Sequence, residues 1–279
     1  MKNLSLDDIH IVSFSLMEEI HNFCVKNTIR YSLAYGSLIG AIRHKGFIPW
    51  DDDIDIIMPR PDYEIFCQSF TSDKCRCISY ENNKDTYIAY ARVVDDKCTF
   101  VEGSSWCADA SKNGVWIDVF PIDARDTDQS FYAKRYRMAQ KRYINLFKYR
   151  VILRGWDIDN SNKLNLCIKI IDIFPIAKRL IRKITRSKVA RIIAIAKALP
   201  FGTTEMACQI GCPDNGVKEV IYASDFDHLI LTPFENGYFY IISNYDSFLS
   251  SVYGNYMELP PLEQRVPKQG NLKFFWREE

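Results

Sequence analysis

The run Asp51-Asp52-Asp53-Ile54-Asp55-Ile56-Ile57-Met58 constrains this chain more than any other stretch, because it sets four carboxylates against the start of an apolar strand. From Asp53 onward polar and apolar residues alternate with the two-residue period of a β-strand. Asp53 and Asp55 are therefore expected on one face, with Ile54 and Ile56 on the other. A solvated acidic turn, the bland alternative, has no need of that alternation. A helix-loop-helix calcium loop does not fit either. Counted from Asp51, its glycine position holds Ile56 and its terminal glutamate position holds Asp62.

The flanking residues give the run a chemical setting. Upstream, Tyr31-Ser32-Leu33-Ala34-Tyr35 reads as a strand that ends at Gly36-Ser37, and Leu38 to His44 reads as a helix with Ser37 as its N-cap. Backbone N–H groups at such a strand-to-helix turn can hold a phosphate, and Arg43 and Lys45 add positive charge. Gly46 and Pro49 make residues 45–50 a loop. Downstream, Pro61 suits a first helical turn, with Tyr63, Phe66, Cys67 and Phe70 on the apolar side.

Two further strands are expected, Tyr87 to Val94 and Val115 to Phe120, the second bounded by Gly114 and Pro121. Trp116, Asp118 and Phe120 share a face of the second, and an acid in that setting calls for a charge partner. Arg92, on the first, reads equally as a phosphate ligand or as a surface arginine. If the two acidic strands lie side by side, Asp53, Asp55 and Asp118 gather hard oxygen ligands suited to Mg²⁺ or Mn²⁺, with Asp51 and Asp52 as outer ligands. Such ions can clamp the attacking and leaving oxygens of a phosphoryl displacement.

Composition adds bounds. The 279 residues are 47% hydrophobic, enough for a real core, and no period of a repeat protein is present. Residues 5–27 place Ile9, Val12, Leu16, Ile20 and Phe23 at helical spacing. The first residues lack the apolar stretch of a secretory signal, so a cytoplasmic location is expected. The nine cysteines are scattered, which suits reduced thiols. Cys75-x-Cys77 and Cys208-x3-Cys212 could supply four thiolates to zinc, but neither has knuckle spacing. His10, His21, His44 and His228 read as structural or surface residues, and the C-terminal aromatics from Tyr238 to Tyr256 as core.

Charge is strongly segregated. Residues 131–200 hold 18 Lys and Arg against three Asp, leaving 18 basic residues against 32 acidic ones elsewhere. Within 164–199 an apolar run, Ile168 to Ile176, is followed by Lys178-Arg179, Arg182-Lys183, Arg186, Lys188 and Arg191. This pattern fits a helix on an anionic membrane surface and is too interrupted to span one. Nucleic acid is the competing partner for a basic helix, and no binding motif accompanies it.

Three blocks carry a resemblance. Residues 35–55, Tyr35-Gly36-Ser37-Leu38-Ile39-Gly40-Ala41-Ile42-Arg43-His44-Lys45-Gly46-Phe47-Ile48-Pro49-Trp50-Asp51-Asp52-Asp53-Ile54-Asp55, closely resemble the signature of LicD proteins, relatives of fukutin and the fukutin-related protein. The resemblance continues in Gly114-Val115-Trp116-Ile117-Asp118-Val119-Phe120-Pro121-Ile122-Asp123 and in Tyr253-Gly254-Asn255-Tyr256-Met257-Glu258-Leu259-Pro260-Pro261.

The resemblance implies an α+β fold, a nucleotidyltransferase-like mixed sheet flanked by helices, with a basic helical insert. Residues 1–130 would form the catalytic core, 131–214 the insert and 215–279 the completing C-terminal segment. The implied reaction moves a phosphorylated alcohol, such as phosphocholine or a polyol phosphate, from a CDP-linked donor to a glycan or lipid-linked glycan hydroxyl, releasing CMP. By the same resemblance Asp53, Asp55 and Asp118 are the metal-binding acids, with Asp51 a further ligand. A peripheral position on the inner face of the cell membrane would suit a lipid-linked acceptor. Two alternatives stay open, a nucleotidyltransferase that passes a nucleoside monophosphate to a small acceptor, and a catalytically idle glycan-binding scaffold at the membrane.

Overall fold

The computed structural model describes residues 2–102, 113–154, 175–213, 218–267 and 272–278. The chain opens with α1 (Leu6–Lys26), which starts where Ser5 and Asp8 cap each other reciprocally and buries Ile9, Leu16, Met17, Ile20 and Cys24. The main sheet follows as β1 (Ser32–Leu33), β2 (Ile54–Pro59), β3 (Arg76–Ile78), β4 (Ala91–Val94) and β6 (Trp116–Ala124), in spatial order β1-β2-β6-β4-β3. Only the β2–β6 pair is parallel within that order. A parallel neighbour requires a crossover, here led by α3 (Arg60–Ser69). The fold is α+β, a mixed sheet flanked by helices.

β6 is the spine, with all nine residues buried. It runs through Pro121, where the sequence suggested a stop. Its antiparallel partner β4 ends opposite Val119, and β7 (Met206–Cys208) begins opposite Asp123. Pro121 thus falls in the gap between two partners, where a missing N–H leaves no ladder bond unmade. β8 (Ile221–Tyr222) extends β7. Beside the sheet, β5 (Thr99–Glu102) pairs with the last strand, β11 (Lys273–Trp276), and β9 (Ile230–Phe234) forms a hairpin with β10 (Gly237–Ile241).

Two expected strands are shorter than their apolar runs. The strand anticipated over Tyr31 to Tyr35 is only β1, because Tyr35 takes a left-handed backbone, φ 50°, and opens α2 (Tyr35–Ile39), which continues as a π-helical turn (Gly40–His44). Ser37 is therefore inside a helix whose N-cap is Ala34, and it does not cap. Tyr87 to Tyr90 are buried, with Ile88 to Tyr90 in bends, and only Ala91–Val94 is paired as a strand. The apolar composition of that stretch had made it resemble a strand.

The basic region folds as α4 (Gln129–Arg154) packed against α5 (Pro175–Ala196). Most of the apolar run from Ile168 lies outside the described residues. Arg186 mounts α5 on the core, donating to the carbonyls of Tyr80 and Asn83 at 2.7 and 2.8 Å and stacking on the Tyr80 ring. α6 (Tyr245–Tyr253) leads to the C-terminal loop.

Candidate active site

Asp51, Asp52 and Asp53 converge, each placing a carboxylate oxygen within 4.8 Å of the others. Carboxylates this close repel, and hard oxygen donors of this kind suit a divalent cation such as Mg²⁺ or Mn²⁺. The cluster is built by its loop. His10 of α1 donates from Nε2 to the Asp51 carbonyl at 2.7 Å and stacks on Phe47 at 4.0 Å. Phe47 in turn donates its N–H to Glu235 Oε1 at 2.9 Å, and Glu235 donates its own N–H to the Lys45 carbonyl at 2.7 Å. α1 and the β9–β10 turn thus hold both flanks of residues 45–51.

Gly36 explains itself here. A Cβ at that position would stand 2.4 Å from Asp51 Oδ2, so only glycine lets α2 approach the acid. Next to it, Ser37 Oγ accepts the Asp55 N–H at 2.9 Å, and Asp55 returns its carbonyl to the Ala34 N–H. The Gly-Ser turn and the acidic strand are laced together.

The acids divide into two groups. Asp53 precedes β2, which begins at Ile54, so it belongs to the unpaired segment with Asp51 and Asp52, while Asp55 belongs to the strand. Asp55 lies in register opposite Asp118 of β6, the neighbourhood expected for two acidic strands. Asp118 is held by Arg92, its register partner on the other side, through Nε to Oδ1 at 2.6 Å and Nη2 to Oδ2 at 3.2 Å. Trp116 Nε1 donates to the same carboxylate at 3.3 Å, and the guanidinium lies over the Trp116 ring at 4.1 Å. Burial opposes charge on Arg92, but the Asp118 carboxylate outweighs it and holds the guanidinium firmly protonated. Arg92 is neither a surface arginine nor extended toward a phosphate in this arrangement.

A second acidic feature comes from far along the chain. Glu219 is buried and accepts the Tyr35 hydroxyl at 2.9 Å and the Gln209 N–H at 3.1 Å. Tyr253, at the end of α6, has its phenol pushed well up, first by burial of its hydroxyl end and then by the fields of Asp55, Asp51, Glu219 and Asp53. It is a protonated donor beside the acids.

The Asp51 carboxylate opens into a cleft of about 600 Å³ whose floor includes Gly36, Arg43 and Trp50 and whose far wall is Tyr253, Tyr256 and Pro260. Arg43 builds that wall. Its Nη1 donates to the carbonyls of Tyr256 at 2.6 Å and Glu258 at 3.1 Å. Lys45, its expected companion, is exposed and left-handed, φ 59°. Gly36, Ser37, Asp51, Asp53 and Asp55 are thus brought together, while Arg43 is engaged by backbone and Arg92 by Asp118. Glu219 and Glu235 were not singled out from sequence, while His10 was read as structural or surface, the role it takes here, and Tyr253 as core, though it lines the cleft and is exposed. Their partners are long-range, and of the four only Tyr253 carries a signal, as the first residue of the third motif block.

Residues 28–156 match the family described as LicD/FKTN/FKRP, nucleotidyltransferase domain. The chain is similar to LicD proteins over that segment. It is 26% identical over 276 residues to the lipopolysaccharide cholinephosphotransferase LicD of Haemophilus influenzae, covering 96% of this chain and 97% of that protein. Shorter matches join it to uncharacterized proteins of Rickettsia typhi, 37% identical over 29% of this chain and 26% of that one, and Rickettsia prowazekii, 49% identical over 15% and 16%.

Proposed function

We propose that this chain transfers a phosphorylated alcohol, with phosphocholine the first candidate, from a CDP-linked donor to a hydroxyl of a glycan acceptor. The observation that carries the reading is the Asp51–Asp53 cluster pressed against Gly36 at the edge of the cleft, in a chain alignable almost end to end with a cholinephosphotransferase. Asp51, Asp52 and Asp53, with Asp55 beside them, would hold Mg²⁺ or Mn²⁺, which when bound neutralises charge on the donor diphosphate.

The chain's own residues set the geometry of the reaction. The α2 backbone from Gly36 would offer N–H groups to a phosphate oxygen, and Tyr253, in the same cleft, a phenolic proton. The acceptor oxygen forms a bond to the phosphorus that carries the alcohol. The bond from that phosphorus to the bridging oxygen breaks, CMP departs with the electron pair, and the acceptor proton passes to the Asp118 carboxylate. We assign Asp118, fixed by Arg92, to orient that hydroxyl, with Asp55 in the adjacent register position.

Incubation with a panel of CDP-alcohols, Mg²⁺ or Mn²⁺ and a glycan acceptor tests the reading by mass spectrometry. CMP release with the alcohol phosphate on the glycan is the expected result, lost on chelation and in Asp53→Asn. Nucleotide appearing on the acceptor would instead assign a nucleotidyl transfer, and CDP-alcohols left intact under every metal would remove the reaction altogether.

A further inference from the structure

The α4–α5 hairpin is not used by the reaction just described. Neither helix contains an Asp or Glu. α5 buries Thr185, Val189, Ile192 and Ala196. On the opposite face Ile176, Leu180 and Ile184 follow one another at four-residue spacing and are 85%, 57% and 37% exposed. Lys188 continues the same row and Arg191 lies one turn further, since residues three and four apart stack on a helix face.

Those two cations help line a cavity of about 140 Å³ between the helices, completed by Lys141, Arg142 and Asn145 of α4. Four cations and one amide converge there. Exposed Arg179 and Lys183 flank the aliphatic row. Among the described residues no helix is long and apolar enough to cross a membrane.

We propose that this face docks on an anionic phospholipid surface, with a headgroup phosphate seated among Lys141, Arg142, Asn145, Lys188 and Arg191 and the Ile176–Leu180–Ile184 row entering the acyl boundary. Charge complementarity selects anionic lipid, and the aliphatic row selects a surface with an apolar layer beneath its phosphates, which nucleic acid lacks. Arg186 gives the face a rigid mounting, so docking would hold the cleft at a set height above the lipid. The proposal is independent of the transfer reaction and is read without turnover.

Flotation of the intact chain with vesicles of phosphatidylglycerol and phosphatidylethanolamine tests it, with phosphatidylcholine vesicles as the neutral control. Co-flotation with the anionic vesicles alone is expected. Lys188→Gln with Arg191→Gln should lower partitioning about thirtyfold, about fivefold for each lost cation. Ile176→Ser with Leu180→Ser should lower it about tenfold while leaving binding of a short RNA unchanged. Ile176, Leu180 and Arg191 are exposed and Lys188 is half-buried over the Tyr149 ring, so thermal melting checks that each variant folds. Protein remaining with the unbound fraction, partitioning unaltered in both folded variants, or RNA binding without vesicle binding would each overturn the proposal.

Discussion

Asp51 Oδ2 occupies the place where a side chain on residue 36 would begin, 2.4 Å from an ideal Cβ. Gly36→Ala must therefore displace the Asp51 carboxylate and alter its spacing from Asp52 and Asp53. We expect turnover to fall on the order of a hundredfold, as for about 1 Å of misplacement at a reacting centre. Thermal stability should change far less, and the metal concentration for half-maximal activity should rise. CMP release against metal concentration measures all of this alongside a melting curve.

The Arg92–Asp118 pair is buried on both sides, with side chains 10% and 11% exposed. Arg92→Met leaves a buried carboxylate without its cation and should cost about 3–5 kcal/mol in urea unfolding, much of it restored by adding Asp118→Leu. Asp118→Asn separates structure from chemistry. At a temperature where that variant is fully folded, turnover should still be strongly reduced, and unchanged turnover would remove Asp118 from the reaction.

Arg43 supports the far wall of the cleft through two backbone carbonyls. Arg43→Met should raise KM for the donor more than it lowers kcat, because the wall moves while the acids keep their places. Steady-state kinetics with varied CDP-alcohol measures the split.

Burial holds the His21 imidazole below the ordinary histidine range. The Tyr31 phenol, which accepts the Tyr240 N–H, lies 2.6 Å from His21 Nδ1 and donates to it. The folded chain keeps this ring neutral, whereas the unfolded chain takes up a proton near about pH 6.5. Its contribution is complete above that value and is lost as pH falls through the depressed folded one. Tm should decline as pH drops from about 7 to about 5, with a shallower slope in His21→Asn, whose side-chain oxygen still accepts from Tyr31.

Much of this site was readable because its chemistry is local. The alternation after Asp53, the Gly-Ser turn and the second acidic strand each lie within a few residues, and β2 and β6 bring Asp55 opposite Asp118 as two acidic strands should. What escaped depends on contacts between distant segments. Periodicity could not show that Asp53 stays in the unpaired segment, since one ladder bond decides where a strand begins. Nor could it show that Arg92 turns to Asp118, a choice made by the register of β4 on β6. Ile88 to Tyr90 are as apolar as a strand yet are bends, because burial and ladder pairing are separate requirements.

The two walls of the cleft are far apart along the chain. Arg43 reaches Tyr256 across 213 residues of sequence. During synthesis the acids and the phosphate-facing turn leave the ribosome long before the segment that encloses a substrate beside them. A nascent chain would carry the acidic cluster without the cavity. Activity would begin only when the late segment closes on the early one, which makes catalysis itself a measure of completed folding.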